Sequence, residues 1–234
     1  MKKAEYGIDA PNVVGTLLMF SVAALALTGL SLKLDKPLWL VIYFSAIAGS
    51  LFATGCWLIY STRVAKPRLL SLLVEQMGFK GNEKILDVGC GRGMLLIQAA
   101  KRVPQGKVYG IDLWSRKDQS GNAMDRTLSN IEIEQVTDRV EIQTADMRSI
   151  PYPDSSFDAV VSSLAIHNVG NEEGREKTLS EILRVLRPGG TFLLLDIHYA
   201  KQYAKFFEEA AEIIRFESIY SYCPTIRVVQ GIKK

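Results

Sequence analysis

Hydrophobic and polar positions divide the chain into two parts with different patterns. Residues 10–32 and 37–62 contain no charged side chain. Each run exceeds the roughly 20 residues that a helix needs to cross a bilayer. From residue 84 onward the apolar runs are short and alternate with helical patterns, which is typical of a parallel sheet with helices on both faces. The sequence therefore predicts an apolar helical hairpin followed by an α/β domain.

The apolar hairpin is predicted to be a membrane anchor with helices at about residues 13–32 and 38–60. The polar turn between them is so short that both outer ends must lie on the same side of the membrane. Basic residues then indicate the orientation. Five of them flank the outer ends and two lie in the turn: Lys2, Lys3, Arg63, Lys66 and Arg68 against Lys33 and Lys36. Both termini and the α/β domain are therefore expected to be cytoplasmic.

Two other interpretations of the apolar runs stay open. A cleaved signal peptide would explain the first run, but Glu5 and Asp9 interrupt its positive n-region and a second run follows at once. Two buried helices of a soluble all-α subdomain would explain both runs, although such long uncharged intervals are rarely needed inside a small globule. Small residues Ser45, Ala46 and Gly49-x-x-x-Ala53 have the spacing for close packing, within the hairpin or in a homodimer.

The remainder of the 234-residue chain is divided into a stem helix and one domain. Residues 1–62 are assigned to the anchor, 63–80 to the stem and 81–234 to the α/β domain. The stem is expected either to pack on the sheet or to be a plain amphipathic connector. Its apolar positions are Leu69, Leu70, Leu72, Leu73 and Met77.

A glycine turn at residues 89–93 is the strongest candidate for a binding site. The run 84–88 is typical of a strand buried on both faces. The turn Gly89-Cys90-Gly91-Arg92-Gly93 removes side chains where a ligand must touch backbone, and the helix predicted at about 94–103 begins with unpaired N–H groups. Dinucleotide sites need G-x-G-x-x-G, but here Met94 takes the place of the third glycine. Asp87 would repel a pyrophosphate and suits a cationic ligand.

The motif Asp87-x-Gly89-x-Gly91-x-Gly93 resembles the first motif of the class I S-adenosylmethionine (SAM)-dependent methyltransferases. The resemblance extends from about Lys66 to the end. It is close to the quinone-biosynthesis-like and general small-molecule members ("type 11" domain), given Leu-Arg-Pro-Gly-Gly at 186–190 and Ile-Pro-Tyr-Pro-Asp-Ser-Ser-Phe-Asp at 150–158. It implies a Rossmann-like, seven-stranded, mostly parallel sheet whose last strand is antiparallel. The short link between the last two predicted strands, 216–222 and 226–232, independently forces a hairpin.

The resemblance also implies a set of cofactor-binding residues. Asp112 ends the second predicted strand, 19 residues past Gly93, where a carboxylate accepts ribose hydroxyls. Asp146 and Met147 follow the third strand, beside the expected adenine, and Ser163 matches a position that contacts the methionine part. The full set is Asp87, Gly89, Cys90, Gly91, Arg92, Gly93, Asp112, Leu113, Asp146, Met147 and Ser163.

Both histidines are predicted at the carboxyl ends of strands, where ligands of open parallel sheets bind. For a phenol or similar hydroxyl acceptor His167 is the candidate general base, and the alternative is that it only lines the pocket. His198 has the weaker claim.

Charged and aromatic residues of two loops have alternative interpretations. Arg92 is expected either to neutralise a carboxylate of the cofactor or acceptor, or to be a surface charge. Trp114 is expected to lie against the ribose or adenine, whereas Arg116 and Lys117 are expected in a solvated loop.

Composition narrows the function classes. A net charge of +3 gives no broad nucleic-acid footprint, and Cys56, Cys90 and Cys223 form no disulfide or metal-site pattern, which suits a reducing cytosol.

The sequence predicts a membrane-anchored SAM-dependent methyltransferase that acts on a small or lipophilic acceptor. Two alternatives remain: a SAM-binding regulatory or scaffold module, and a nicotinamide oxidoreductase. A short-chain-type nicotinamide oxidoreductase would use a Tyr-x-x-x-Lys pair, which this sequence lacks: at that spacing Tyr199 is followed by Tyr203.

Overall fold

The computed structural model describes residues 3–115, 121–220 and 222–234, so the expectations for Arg116 and Lys117 lie outside the described residues. One helical hairpin leads into an α/β domain. The helices are α1 (Pro11–Lys33), α2 (Leu38–Tyr60), α3 (Lys66–Gln76), α4 (Met94–Arg102), α5 (Met124–Ile133), α6 (Glu172–Val185) and α7 (Ala200–Phe207). The strands are β1 (Lys84–Val88), β2 (Lys107–Asp112), β3 (Val140–Thr144), β4 (Phe157–Ser163), β5 (Leu186–Asp196), β6 (Ala211–Ile219) and β7 (Ile226–Lys233).

The sheet has the strand order β3-β2-β1-β4-β5-β7-β6. The pairs from β3 to β5 are all parallel, and β7 is antiparallel to both of its neighbours. Helices α3, α4 and α5 pack on one face, and α6 and α7 pack on the other. This arrangement confirms the predicted Rossmann-like fold with an antiparallel last strand. Strands β1 and β4 are adjacent at the centre, so their carboxyl ends meet where the strand order reverses.

The hairpin is held by close contact between α1 and α2. The Ser21 hydroxyl donates a hydrogen bond to the Ala48 carbonyl oxygen (2.9 Å). A Cβ atom on Gly55 would lie 3.0 Å from the Leu18 side chain, so glycine permits the approach. Both helices are long and apolar enough to cross a membrane by length and composition, and only 22% and 11% of the residues in their most apolar windows are buried. So little burial argues against a soluble all-α subdomain.

The small-residue pair Gly49-x-x-x-Ala53 lies on the outer face of the hairpin. A Cβ atom on Gly49 would meet nothing within 4 Å, and Ser45, Ala46 and Ala53 are exposed. The expectation that these residues pack the hairpin is therefore wrong, because Ala48 and Gly55 occupy the contact with α1 instead. A homodimer through this face stays a prediction.

Helix α2 continues into the domain without a break. A π-helical segment, Ser61–Ala65, joins it to α3, so residues 38–76 form one helix. In α3, Leu70 and Leu73 are buried in the core beside the sheet, whereas Leu72 is 52% exposed. The stem residues therefore form one wall of the α/β domain.

The chain after β5 differs from the sequence prediction, in which residues 199–215 have a helical pattern and precede the predicted strand 216–222. Helix α7 ends at Phe207, and β6 begins at Ala211 rather than Phe216. Strand β6 pairs with β7 from Ala211 opposite Lys233 to Ile219 opposite Ile226. Pairing along the whole edge therefore outweighs the local helical pattern, as tertiary contacts commonly do.

Residues 5–10, here called the N-terminal strap, lie against the α/β domain before α1 begins. The Glu5 N–H donates to Asn130 Oδ1 (2.9 Å), and Asn130 Nδ2 donates to the Glu5 carbonyl oxygen (3.0 Å). The same Asn130 amide donates to the carbonyl oxygen of Arg92 (2.9 Å), and Tyr6 packs against the core. One buried side chain therefore joins the strap to the glycine turn.

Candidate functional site

A cavity of about 500 Å³ opens at the carboxyl ends of β1, β2 and β4. It brings together every residue of the predicted site except Gly93. The predicted residues that line it are Asp87, Gly89, Cys90, Gly91, Arg92, Asp112, Leu113, Asp146, Met147, Ser163 and His167.

The glycine turn needs glycine for two different reasons. Gly89 has φ +74°, and a Cβ atom there would lie 2.3 Å from the Cβ of Ala165, so a side chain would collide with the segment after β4. Gly93 has φ +83° and is the N-cap of α4, where the backbone enters the helix from a left-handed conformation. Gly93 therefore shapes the turn without lining the cavity.

Asp112 fixes the shape of this turn from the end of β2. Its Oδ2 accepts the Gly91 N–H (2.8 Å), and its Oδ1 accepts the Trp114 N–H (2.5 Å) and the Asn122 amide (3.2 Å). A carboxylate has about four acceptor positions. Asp112 can therefore hold the turn and still accept a hydroxyl from a ligand.

Asp87 is a buried acid beside this turn, 1% exposed. Neither of its oxygens has a well-aligned hydrogen-bond partner among the described residues. Burial, together with the nearby Asp112 carboxylate, raises the pKa of Asp87 to about 8, against the weaker opposite effects of the Leu96 N–H and Lys66. An acid in such surroundings is stabilised in its charged form by a cationic hydrogen-bond donor.

The site beyond β3 is built around an ion pair that sequence reasoning missed. Arg148 donates from Nε to both Asp146 oxygens (3.0 and 3.1 Å) and from Nη2 to Oδ2 (2.6 Å). The guanidinium holds the pKa of Asp146 below its usual value. The pattern visible in the sequence was a basic residue, Arg148, two positions after Asp146, the acid that follows β3. Arg148 also lines the cavity and orients the carboxylate there.

The other predicted cofactor residues occupy distinct positions around the cavity. Ser163 has a buried hydroxyl with no hydrogen-bond partner among the described residues. The Cys90 thiol is buried, which raises its pKa well above the usual value, and Leu113 is 58% exposed. Arg92 is only 8% exposed, which does not fit a surface charge.

His167 is held by a buried carboxylate that the sequence analysis did not select. Its Nδ1 lies 2.5 Å from Asp196 Oδ1, although the contact is not aligned as a full hydrogen bond. The His167 backbone N–H donates to Asp196 Oδ2 (3.0 Å), and the Tyr203 hydroxyl donates to the same oxygen (3.2 Å). With Nδ1 facing Asp196, Nε2 remains for a ligand. Asp196 is the last residue of β5, as Asp112 is of β2, so the sequence offered the same indication for both: an acid at the end of an apolar strand.

Two other residues expected near the ligand lie outside the cavity lining. His198 is exposed, with its ring centre 6.0 Å from that of His167. The Trp114 indole N–H donates to Thr144 Oγ1 (2.8 Å). Neither His198 nor Trp114 is among the described residues that line the cavity.

The remaining side of the cavity comes from parts of the chain that the sequence analysis did not connect with it. Lys66 Nζ lies 3.0 and 3.2 Å from the two oxygens of Asp9, and the Tyr222 hydroxyl donates to Asp9 Oδ2 (2.6 Å). We call Asp9, Lys66 and Tyr222 the junction cluster; Ala10, Leu70 and Pro224 line the cavity beside it. Asp9 and Tyr222 are 213 positions apart, and local patterns carry no signal for such contacts.

Comparison with known proteins matches residues 86–194 to the family described as a methyltransferase domain. Among curated relatives, a demethylmenaquinone methyltransferase of Symbiobacterium thermophilum is 35% identical over 57% of this chain and 49% of that protein. The ubiquinone/menaquinone biosynthesis C-methyltransferase UbiE of Geotalea daltonii is 31% identical over 53% of this chain and 49% of that protein. The chain thus spans about half the length of these relatives.

Solved structures share the fold at low sequence identity. A SAM-dependent methyltransferase from Aquifex aeolicus has a TM-score of 0.58 at 19% identity and covers 70% of this chain and 89% of its own. A geranyl diphosphate methyltransferase in complex with SAM has a TM-score of 0.61 at 13% identity and covers 75% and 88%. These similarities support the sheet topology described above.

Proposed function

We propose that this chain, which carries a class I SAM-dependent methyltransferase domain, methylates a lipophilic acceptor with an acidic hydroxyl group at the cytoplasmic face of a membrane. SAM is the cofactor of the domain. One observation carries the proposal: a single cavity is lined by Asp87 and Asp112 on one side and by His167, which is held by Asp196, on the other. A cofactor cradle and a candidate base therefore share one cavity.

The residues of the cavity fit the chemical groups of SAM. Asp87 is a buried acid suited to the ammonium group of the methionine part, and Asp112 has acceptor capacity left for ribose hydroxyls. Asp146, oriented by Arg148, and Met147 would frame the adenine. When bound, SAM supplies a methyl group already activated on a sulfonium, so the protein's part is to position the acceptor, exclude water and remove a proton.

His167 is suited to remove that proton. Its Nε2 takes the hydroxyl proton of the acceptor, and Asp196 stabilises the imidazolium that forms. The Tyr203 hydroxyl and the His167 backbone N–H fix Asp196 in place. Loss of the proton makes the oxygen nucleophilic, and in an aromatic ring it also raises the electron density on ring carbons. The same base therefore serves methylation of oxygen, or of a ring carbon whose own proton is then lost to water as the ring regains its aromaticity.

Two features support a lipophilic acceptor at a membrane. The curated relatives include methyltransferases named for demethylmenaquinone and for ubiquinone and menaquinone biosynthesis. The hairpin α1–α2 exposes apolar side chains along most of its length. We propose that it anchors the enzyme with two spans, both termini and the catalytic domain being cytoplasmic, as the basic flanks of the hairpin indicate.

The test uses the full chain in phospholipid nanodiscs. SAM binding is measured by calorimetry, and turnover by S-adenosylhomocysteine release and by transfer of labelled methyl groups into fractions of a membrane extract. His167→Ala should lower turnover by about 10²–10⁴-fold and leave the SAM Kd within about twofold. His198→Ala, a neighbouring exposed histidine, is the matched control and should retain activity. Full activity of His167→Ala would eliminate the base, and SAM binding without turnover in any extract would favour a regulatory module.

A further inference from the structure

We propose that the junction cluster, Asp9, Lys66 and Tyr222, is the acceptor subsite and that it binds the uncharged, hydroxyl-bearing head of an amphiphile delivered from the bilayer. This inference rests on the proposed function and adds the substrate class. It assigns acceptor selection to residues outside 86–194, the part of the chain that matches the methyltransferase family.

The first argument is position. Ala10 lines the cavity and directly precedes α1, whereas Lys66 begins α3 only six residues after the end of α2. Six helical residues rise about 9 Å. One side of the cavity is therefore built from both outer ends of the apolar hairpin, which is where a molecule leaving the bilayer would first meet the domain.

The second argument is the proximity of the cluster to the reacting groups. Four side chains of interest line the same cavity: Asp9 and Lys66 of the cluster, the candidate base His167, and Asp87. The cluster thus lies near the candidate base on one side and the methionine end of the cofactor site on the other, where an acceptor head must bind.

The third argument is the charge balance of the cluster. Lys66 and Asp9 form an ion pair whose side chains are 7% and 25% exposed, so the positive charge is already neutralised. Burial raises the pKa of Asp9, but Lys66 and the Tyr222 hydroxyl outweigh it and hold the pKa below its usual value. A neutralised pair of this kind suits a neutral hydroxyl or carbonyl group better than a phosphate or carboxylate.

The fourth argument is the hydrogen-bonding capacity of Lys66 and the apolar wall beside it. An ammonium group has three donors, and both hydrogen bonds of the Lys66 ammonium to described residues go to Asp9 oxygens, which leaves a donor for an acceptor oxygen. Ala10, Leu70 and Pro224 line the cavity next to the cluster and provide apolar surface for a ring or the first part of a tail. One polar contact surrounded by apolar surface is typical of sites for amphiphilic small molecules.

The test measures binding without requiring turnover. The full chain in phosphatidylcholine nanodiscs is irradiated with a 4-dodecylphenol that carries a diazirine beside the ring, and the labelled peptides are identified by mass spectrometry. Wild type should be labelled near residues 66–70 and 222–226. A probe with a methyl group in place of the dodecyl chain, and a probe with a carboxylate in place of the phenol, should label these peptides at least about tenfold less.

Two variants connect the labelling to the cluster. Lys66→Met should lower it about tenfold, the loss expected for one hydrogen bond from a charged group. Lys107→Met is the control, because Lys107 pairs with Glu141 at the amino end of β2 and away from the cavity. If Lys66→Met alone does not fold, the double variant Asp9→Asn/Lys66→Met removes both charges of the pair and should show the same loss.

The outcomes test the acceptor subsite and the proposed function separately. Equal labelling of the folded Lys66 variant and wild type, labelling away from the junction cluster, or equal labelling by the carboxylate probe would overturn the acceptor subsite. SAM calorimetry on the same nanodiscs is the separate readout. Absence of SAM binding by wild type would overturn the proposed function, whatever the labelling pattern shows.

Discussion

SAM binding should release a proton from Asp87. With a pKa of about 8, the free protein holds this carboxyl almost fully protonated at pH 6. An ammonium group placed beside the carboxyl favours its charged form. We therefore expect about one proton to be released per SAM bound at pH 6, and the affinity to rise about tenfold between pH 6 and pH 7. Above pH 7 the ligand's own amino group begins to lose its proton, so the measurement stays below that value.

Calorimetry in two buffers with different ionisation enthalpies measures this proton directly. Asp87→Asn should abolish the release and the pH dependence together, because asparagine does not titrate. At pH 7 it should also weaken binding by about 10–100-fold, since a hydrogen bond to a charged group contributes about 1.5–3 kcal/mol. No proton release by wild type at pH 6, or an unchanged release by Asp87→Asn, would refute the assignment of Asp87 to the ammonium group.

The same pKa determines how the free protein responds to pH. The folded pKa of Asp87 exceeds the ordinary value of 3.8, so the folded state binds the extra proton between about pH 4 and pH 8. The free energy of unfolding should therefore decrease as pH rises through this range. Asp87→Asn should remove much of that decrease in thermal unfolding measured without SAM. An identical pH dependence in both proteins would contradict the raised pKa.

Three further changes test the site. Asp112→Ala should weaken SAM binding by about 100-fold or more in calorimetry, because it removes hydroxyl contacts and the bond that holds the glycine turn; unchanged affinity would remove the ribose assignment. Gly89→Ala should destabilise the protein by about 2 kcal/mol or more in denaturant unfolding, given its positive φ and the collision with Ala165. Gly170→Ala, with open space around it, is the control and should stay within about 0.5 kcal/mol. Asp196→Asn should lower turnover and shift its pH profile while sparing the SAM Kd, and an unshifted profile would contradict its role beside the imidazole.

The fold and the cofactor side of the site were accessible from sequence because their signals are local. Asp87 and Asp112 each lie in or at the end of an apolar strand, and the glycine spacing lies within seven residues of Asp87. A strand pattern combined with the right-handed crossover rule then places these residues at one edge of the sheet. Asp196 has the same position at the end of β5, two residues before His198, but its side chain holds His167, which follows another strand, and local patterns do not show that contact.

The junction cluster could not be predicted in this way. Asp9, Lys66 and Tyr222 come from the strap, the stem and the segment before β7, and each has an ordinary sequence neighbourhood. Their proximity depends on how α3 and the strap pack on the sheet, which is a sum of many tertiary contacts. The early end of α7 has the same origin, since β6 pairs with residues of β7 that lie 7 positions further along the chain at Ile219 and 22 positions further at Ala211.

The π-helical segment Ser61–Ala65 determines which side of α3 faces the sheet. Each residue added to or removed from an α-helix turns everything beyond it by about 100°. A single deletion in α2 would therefore rotate Leu70 and Leu73 out of the core and take Lys66 away from Asp9. The wider turn accommodates one extra residue. Lengthening of α2 by about seven residues, two full turns, should consequently preserve the orientation of α3, but α1 would have to lengthen equally to keep Asp9 beside Lys66.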